Sequence, residues 1–320
     1  MLIKVPRGWE MPERSATPES LYQSRRKFVQ AIGAAGLASA VSGILPGAVE
    51  GGSLYPAQRN TKYTLDRPLT AELVATGYNN FYEFTLDKQR VRFEVDRFKI
   101  SPWEVKVHGL INNPKTYDFD DLVRRFPLEE RLYRFRCVEA WSMAVPWTGF
   151  PMSALIREVD PKPQARFMRM VTAFRPREMP GIRSQPHYDW PYEEAMTIDE
   201  AMNELALFGT GIYGKPLPKQ NGAPIRAIIP WKYGLKNIKS IVEIEFTRKR
   251  PPTLWNKAAP TEYGWYSNVN PKKPHPRWSQ AQEKVMALAP GGRLGYSWRP
   301  TLMYNGYEAY VAELYDGSEY

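Results

Sequence analysis

The sequence predicts an α+β fold in which short strands, arranged in mixed sheets, outnumber short helices. Hydrophobic residues make up 43% of the 320 residues and aromatic residues 13%, which is enough to bury a sizeable core. The 29 prolines and 22 glycines are spread along the chain, so they predict many turns and long irregular connections. Short apolar alternations separated by these turns favour mixed sheets over a doubly wound sheet.

The N-terminal region has the features of an export signal. Arg25 and Arg26 stand in the run Ser-Arg-Arg-Lys-Phe-Val-Gln, and an uncharged Ala/Gly-rich stretch follows from Ala31 to Leu45. This stretch is shorter than the roughly 20 residues that span a bilayer, so we expect cleavage rather than anchoring. The sequence therefore predicts a twin-arginine signal over residues 1–48, read by the twin-arginine translocase, and a single catalytic domain over residues 49–320. A surface helix that carries an arginine pair is the alternative.

The first elements of the predicted domain are a loop, a strand and a helix. Residues 77–84, Gly-Tyr-Asn-Asn-Phe-Tyr-Glu-Phe, follow neither the helical nor the strand period and predict a shaped loop. Apolar residues alternate within Trp103–Leu110, which predicts a strand. Asp120 is expected to cap a short helix over Asp121–Phe126, because an aspartate there can accept backbone N–H groups.

The next elements place the cysteine. Alternation over Leu132–Val138 predicts a strand with Cys137 at its end. Pro151 is expected in the first turn of a helix that ends at Val159, because proline lacks an N–H that this turn would leave unpaired. The remaining predicted elements are strands over Phe167–Phe174, Ile225–Pro230 and Ile241–Thr247 and a helix over Asp199–Phe208.

Charge and cysteine usage limit the possible functions. The formal net charge is +10, and it is +7 without residues 1–45, which suits an anionic ligand or a solvated basic surface. No dense Lys/Arg run with interleaved aromatic residues occurs, so nucleic acid is not an expected partner. A single cysteine excludes an internal disulfide and any CxxC site.

Cys137 can be an inert buried thiol, a nucleophile or a soft metal ligand. The flanking Arg134 and Arg136 would lower the pKa of its thiol and favour the two reactive roles. A thiol protease would also need a histidine to activate the sulfur. We expect structural or surface roles for the histidines, which are His108, His187 and His275.

The sequence around Cys137 resembles a known metal-binding core. The run Arg-Cys-Val-Glu-Ala-Trp-Ser-Met over Arg136–Met143, with Pro146-Trp147 and Gly149-Phe150-Pro151, is similar to that of the catalytic subunits of periplasmic protein-methionine-sulfoxide reductases, in the sulfite oxidase superfamily. The resemblance implies a sulfite-oxidase-type molybdopterin-binding domain. It extends to Gly77–Phe84, Phe126–Arg131, Gln220–Pro224, Pro230–Gly234 and His275–Gln280.

The resemblance implies one molybdenum–molybdopterin cofactor per chain, with Cys137 as the protein ligand of molybdenum. Arg226 and Lys239 can meet a phosphate. At Asn237, relatives often carry glycine, so a contact there would be made by the backbone. The implied cofactor contacts are Asn79, Tyr82, Glu83, Cys137, Thr172, Asn221, Arg226, Asn237, Ile238 and Lys239.

Glu139 and Asn80 are further candidates for the catalytic site. An alternating strand end would place Glu139 on the same side as Cys137, where both candidates could support the metal ligand. Several residues also have simpler interpretations. Asn79 and Asn221 could shape turns near glycines, Tyr82 could be a core residue, and Glu139 could pair with an arginine at the surface.

The resemblance implies reduction of methionine sulfoxide, free and protein-bound, in repair of oxidised periplasmic proteins. No haem-attachment or iron–sulfur motif occurs in the chain, so the electrons must come from another protein, and the resemblance implies a membrane-embedded haem-binding subunit. Sulfite oxidation, reduction of other sulfoxides or N-oxides, and a redox-inactive exported binding protein remain alternatives. Within Arg175–Tyr192 only Met179-Pro180-Gly181 aligns, so the substrate-lining residues there are not predicted.

The residues near the predicted core favour one substrate class without excluding the other. A bulky neutral sulfoxide needs an open, partly apolar cleft, whereas sulfite needs convergent cations. The aromatic residues that suit a sulfoxide are Trp141, Trp147, Tyr188, Trp190 and Tyr192, and the cations that suit sulfite are Arg136, Arg175 and Arg177.

Overall fold

The computed structural model describes residues 53–316. The predicted twin-arginine signal lies outside the described residues, and its boundary at residue 48 stays a prediction. Within residues 53–316, no helix is long and apolar enough to cross a membrane.

Strands dominate the described chain. They are β1 (Gln58–Arg59), β2 (Glu104–Gly109), β3 (Lys115–Asp118), β4 (Glu129–Arg136), β5 (Trp141–Pro151), β6 (Phe167–Thr172), β7 (Glu193–Thr197), β8 (Leu207–Ile212), β9 (Lys215–Pro216), β10 (Arg226–Ile228), β11 (Ile241–Thr247), β12 (Gln282–Leu288) and β13 (Leu294–Pro300). The helices are short: α1 (Glu72–Gly77), α2 (Val91–Glu94), α3 (Phe119–Arg125), α4 (Met152–Val159), α5 (Pro180–Ser184), α6 (Ile198–Met202), α7 (Leu254–Ala258) and α8 (Glu308–Val311). The predicted α+β class is confirmed.

Two mixed sheets hold these strands within residues 53–316. The larger sheet has eight strands in the order β1-β4-β5-β12-β13, and β8 pairs with the second half of β5 and carries β9 and β10. The smaller sheet has five strands in the order β3-β2-β11-β6-β7, with β2 and β11 parallel. The other pairs in the smaller sheet are antiparallel, and of these only β2 and β3 are joined by a short connection.

Strand β5 is the centre of the larger sheet. It pairs with β4 along most of its length, with β12 at its start and with β8 at its end, so its residues before Pro151 are all buried. At Gly149 a Cβ atom would lie 2.0 Å from the carbonyl oxygen of Phe208, where the pairing with β8 shifts register. Only glycine allows this close approach.

The loops beside β6, β10 and β11 converge on one region. Thr172, the last residue of β6, donates its hydroxyl to the carbonyl oxygen of Lys239 at 2.9 Å. The N–H of Ala227 in β10 donates to the carbonyl oxygen of Ile238 at 2.9 Å. Residues 237–239 are thereby fixed between the two sheets.

Two predicted elements differ from the structure. The helix near Asp120 spans Phe119–Arg125, and its cap is Asp118, whose carboxylate accepts from the N–H of Asp120 at 2.8 Å. The predicted helix over Asp199–Phe208 is α6 only as far as Met202, and Leu207 already belongs to β8. Pairing of β8 with β5 and β10 overrides the local pattern.

The other predicted elements are confirmed with shifted ends. The five predicted strands correspond to β2, β4, β6, β10 and β11, and the predicted helix from Pro151 is α4, with Pro151 as the residue before it. Strands β1, β3, β5, β7, β9, β12 and β13 were not predicted.

Candidate active site

Cys137 lies in the tight turn that joins β4 to β5. Its N–H donates to the carbonyl oxygen of Trp141 at 2.9 Å, and its own carbonyl oxygen accepts from the N–H of Ala140 at 3.0 Å. Ala140 has a φ of 71°, a left-handed conformation that is uncommon outside glycine and that the surrounding hydrogen bonds hold in place. The cysteine is buried and directly follows the strand, close to the predicted strand end.

The thiol is surrounded by the two residues predicted beside it. Asn80 Nδ2 and the Glu139 N–H each lie 3.5 Å from Cys137 Sγ, and Glu139 Oε2 lies 3.7 Å from it. Asn80 Nδ2 also donates to Glu139 Oε2 at 3.0 Å. The three side chains therefore form one cluster, although the turn, rather than strand alternation, brings Glu139 to the sulfur.

The Glu139 carboxylate is held by several donors. Trp141 Nε1 donates to Oε2 at 3.0 Å, the Tyr82 hydroxyl donates to Oε1 at 3.4 Å, and Lys88 Nζ lies 3.2 Å from Oε1. Its ionic partner is thus a lysine, not the arginine considered from sequence. Burial by itself would raise the pKa of Glu139, but the hydrogen bond from Asn80 and the charge of Lys88 outweigh it and leave the pKa lowered.

The expected lowering of the thiol pKa is wrong, although the charge of Arg136 does act in the expected direction. Burial, reinforced by the charge of Glu139, raises the pKa of Cys137 above its ordinary range. Arg136 turns away from the sulfur, with Nη2 donating to Gln280 Oε1 at 2.8 Å, and Arg134 Nε donates to Asp66 at 3.1 Å. A thiolate at this position therefore needs a bound cation.

All the predicted site residues line one cleft of about 930 Å³, part of which is open to solvent. The residues that were predicted and that line it are Asn79, Asn80, Tyr82, Glu83, Cys137, Glu139, Thr172, Asn221, Arg226, Asn237, Ile238 and Lys239. Residues from distant parts of the sequence thus share a single site.

Two buried cations share this cleft. The Arg226 guanidinium donates to the carbonyl oxygens of Asn221 at 2.8 Å and Asn237 at 3.2 Å, and no carboxylate of residues 53–316 acts on it. Burial lowers its pKa to about 9. Burial, followed by the charge of Arg226, lowers the pKa of Lys239, whereas the charge of Glu83 acts in the opposite direction. Burial raises the pKa of Glu83 itself, and its carboxylate does not act on Arg226. The arrangement can bind an anion.

The asparagines have structural contacts as well as a place in the cleft. Asn79 Nδ2 donates to the carbonyl oxygen of Thr76 at 3.1 Å, and Asn221 Nδ2 donates to that of Ala75 at 3.0 Å. Asn237 Oδ1 accepts from a backbone N–H at 2.7 Å, so its side chain is already engaged. Its backbone is engaged as well, since the N–H donates to Gly234 and the carbonyl oxygen accepts from Arg226, so a backbone contact from Asn237 to a ligand stays a prediction.

An aromatic group at the cleft was not predicted. Trp255 and Tyr263 line the cleft with their ring centroids 5.0 Å apart, and Trp255 also contacts the rings of Tyr82 and Tyr188. The predicted Trp141, Trp147 and Tyr192 line the cleft too. The predicted residues that are not among its described lining residues are Tyr188, Trp190, Arg136, Arg175 and Arg177. Trp255 and Tyr263 follow no regular spacing in the sequence, so no sequence pattern could predict that they line the cleft.

The histidines lie among structural contacts. His108 Nε2 is 3.2 Å from Glu243, His187 contacts the Tyr188 ring, and His275 stacks on Trp278 with centroids 3.7 Å apart. Among residues 53–316, no group of three or more His, Cys, Asp or Glu side chains could hold a metal ion.

Comparisons with known proteins point to one family. Residues 92–255 match the oxidoreductase molybdopterin binding domain. The chain is 47% identical to the protein-methionine-sulfoxide reductase catalytic subunit MsrP of Ralstonia nicotianae, over all of this chain and 98% of the relative. It is 46% identical to the MsrP of Burkholderia mallei, over 98% of this chain and 95% of the relative. Among solved structures, the sulfane dehydrogenase SoxCD of Paracoccus pantotrophus aligns with a TM-score of 0.47 and 14% identity, over 76% of this chain and 66% of that chain.

Proposed function

Because the chain belongs to the family of protein-methionine-sulfoxide reductase catalytic subunits, which carry an oxidoreductase molybdopterin binding domain, we propose that it reduces methionine sulfoxide, free and within proteins, to methionine. The observation that carries this proposal is the cleft itself. One cavity joins a buried thiol, a supported carboxylate, Lys239 and the Arg226 guanidinium, on which no described carboxylate acts. The thiol suits a soft metal ion and the cationic groups suit a phosphate, so the combination fits one pterin cofactor with its metal.

The cofactor in our proposal is molybdopterin with one molybdenum per chain. Cys137 would ligate the metal, and Arg226 and Lys239 would bind the phosphate. Buried polar atoms without a partner, Asn80 Oδ1, Asn221 Oδ1 and Trp147 Nε1, are suited to a polar ligand in the same cleft. The remaining contacts would come from Asn79, Tyr82, Glu83, Thr172 and the backbone of residues 237–238. When bound, the cofactor supplies the two-electron chemistry that removes the sulfoxide oxygen.

The chain's own residues would donate and relay the protons that sulfoxide reduction consumes. Reduction of a sulfoxide to a thioether takes up two electrons and two protons and releases the oxygen as water. Burial raises the pKa of Tyr82, so its hydroxyl stays protonated and can donate, whereas the lowered pKa of Glu139 keeps that carboxylate ionised. We assign Glu139 the role of holding Asn80 and accepting a proton for relay to the departing oxygen.

This role predicts the behaviour of Glu139→Gln. The amide preserves the shape of the side chain but cannot carry a proton, so kcat should fall about 100-fold or more, while the molybdenum content stays at the wild-type level. Lys88→Met is the matched control, because it removes a contact of the same carboxylate without removing the proton acceptor. A Glu139→Gln variant with wild-type kcat would remove this assignment.

The aromatic lining favours a sulfoxide over sulfite. Trp255 and Tyr263 offer apolar ring faces to a methyl thioether, and sulfur–aromatic contacts are favourable. Sulfite would need convergent cations close to the thiol, and the cations of the cleft, Arg226 and Lys239, are assigned here to the cofactor phosphate. A neutral, bulky substrate fits the remaining space better.

Electrons and location complete the proposal. The relatives are named catalytic subunits, which implies a partner subunit, and this chain has no haem-attachment motif. We propose a membrane-embedded haem-binding subunit as the electron donor, oxidised periplasmic proteins as substrates, and export to the periplasm through the twin-arginine translocase.

One comparison tests the function. A single preparation with measured molybdenum is given reduced viologen and methionine sulfoxide, free or in an oxidised protein, and in parallel sulfite with an electron acceptor. We expect kcat/KM for the sulfoxides to exceed that for sulfite by a wide margin. Sulfite oxidation without sulfoxide-dependent reoxidation would overturn the function, and absence of molybdenum after expression in a cofactor-producing host would favour a redox-inactive binding protein.

A further inference from the structure

Two side chains from the C-terminal part of the chain donate hydrogen bonds to the turn that carries Cys137. Trp278 Nε1 donates to the carbonyl oxygen of Val138 at 2.8 Å, and Gln280 Nε2 donates to the same oxygen at 2.7 Å. We call this pair of donors the Val138 clasp. Both residues lie beyond residues 92–255, the part matched by the molybdopterin binding domain, and neither is among the described residues that line the cleft.

The clasp acts on the peptide group that faces the sulfur. The Val138 carbonyl and the Glu139 N–H belong to one amide, and that N–H lies 3.5 Å from Cys137 Sγ. Donors on the oxygen of an amide fix its plane and polarise its N–H, because linked hydrogen bonds strengthen one another. The clasp therefore both orients and strengthens the N–H contact with the sulfur.

The clasp is itself held rigidly. Gln280 is buried, and its Oε1 accepts from Arg136 Nη2 at 2.8 Å, which leaves Nε2 directed at Val138. The ring of Trp278 stacks on His275 with an interplanar angle of 5°. Thr301 Oγ1 also accepts from Arg136 Nη2, at 3.3 Å, but makes no contact with Val138 that would link it to the sulfur. The two donors thus have little freedom to leave the carbonyl.

We propose that Trp278 and Gln280 are positioning residues that tune the Cys137 thiolate through the Val138–Glu139 amide. The inference rests on the proposed function only in that Cys137 is the metal ligand. A hydrogen bond to a ligating sulfur withdraws charge from it and raises the reduction potential of the centre. Weakening the clasp should therefore return charge to the sulfur and lower the potential.

The test measures the metal centre without substrate. Trp278→Phe keeps the ring but removes Nε1, and Gln280→Met removes the second donor without adding charge. Thr301→Val is the matched control, because like Gln280→Met it deprives Arg136 of an acceptor but leaves the clasp intact. Purified holoenzymes are compared by molybdenum content, by Mo(V) EPR spectrum and by redox titration of that signal.

We expect both clasp variants to retain molybdenum, to shift the Mo(V) g-values and to have a lower midpoint potential than wild type, with the larger shift in the double variant and no shift in Thr301→Val. Unchanged spectra and potentials in metal-loaded clasp variants would overturn the proposal. Loss of metal with no shift in the remaining signal would also overturn it, because the clasp would then be purely structural. A wild-type protein that binds no molybdenum would defeat the proposed function and this inference together.

Discussion

Lys236 anchors the segment that presents Asn237, Ile238 and Lys239 to the cleft, and replacing it by methionine should destabilise the protein. Its Nζ lies 2.5 Å from Glu194 Oε2 and donates to the carbonyl oxygens of Ala195 at 2.6 Å and Trp265 at 2.9 Å. The side chains of the ion pair are 1% and 0% exposed. Methionine fills the space but leaves the Glu194 carboxylate buried without a cation.

The size of the effect follows from that unpaired charge. Breaking a buried pair by removing one partner costs about 3–5 kcal/mol. At roughly 2–4 °C per kcal/mol for a domain of this size, Tm should fall by about 6–20 °C. The cost should depend on pH, because burial already raises the pKa of Glu194 and loss of Lys236 removes the larger of the two lysine charges that lower it, the other being that of Lys232. A raised folded-state pKa means that the penalty is absent below the unfolded value of 4.5 and grows as the pH rises through the folded value.

Urea unfolding at pH 5 and pH 7 measures this effect. Lys236→Met should lose more stability at pH 7 than at pH 5, and adding Glu194→Met should restore most of the loss, since a pair replaced by apolar residues is often neutral. Lys257→Met is the control, because Lys257 is partly exposed, its partner Asp189 is exposed, and its other partner, Glu193, keeps an ion pair with Arg169. Pairs of this kind contribute about 1 kcal/mol or less. A Lys236→Met variant within 1 kcal/mol of wild type at both pH values would refute the reasoning.

Three further substitutions have distinct expected outcomes. Arg226→Met should lower the molybdenum content measured by mass spectrometry. The cofactor-free protein should stay at least as stable as wild type, because the substitution removes a buried guanidinium without a carboxylate partner. A marked fall in the Tm of the cofactor-free protein would contradict this. Gly181→Ala would place a Cβ atom 2.1 Å from the carbonyl oxygen of Tyr82. It should lower the free energy of unfolding by about 1–3 kcal/mol and reduce cofactor loading. A variant with wild-type Tm and wild-type loading would exclude this clash. Asp118→Ala should cost about 1 kcal/mol through the lost helix cap and leave activity per molybdenum unchanged, whereas a change in that activity would show an unforeseen link to the site.

The centre of the site could be predicted because its residues are close in sequence and match a known motif. Cys137 and Glu139 share one turn, and Asn80 lies in a segment of the same resemblance. The raised thiol pKa could not be predicted, because its largest cause is burial, which depends on tertiary packing. Arg136 also donates to Gln280, a partner far along the sequence that no local pattern indicates.

Other features depend on contacts that leave no local pattern. Strand β5 is buried on both faces and shows no alternation, and the apolar residues of β8 are compatible with a helix until their pairing partners are known. Trp255 and the Val138 clasp reach the site from residues more than a hundred positions away from Cys137. Only tertiary structure brings them there.

The central claim is that the Cys137 cleft transfers the sulfoxide oxygen at a molybdenum centre, and a single-turnover experiment tests it most directly. Enzyme with measured molybdenum is reduced, freed of excess reductant and mixed with methionine sulfoxide, and the methionine formed is counted against the metal. We predict one methionine per molybdenum, with reoxidation of the centre, and none from Cys137→Ser, because a hard alkoxide replaces the soft thiolate. Equal methionine yields from wild type and Cys137→Ser, or no methionine from molybdenum-loaded wild type, would contradict the account.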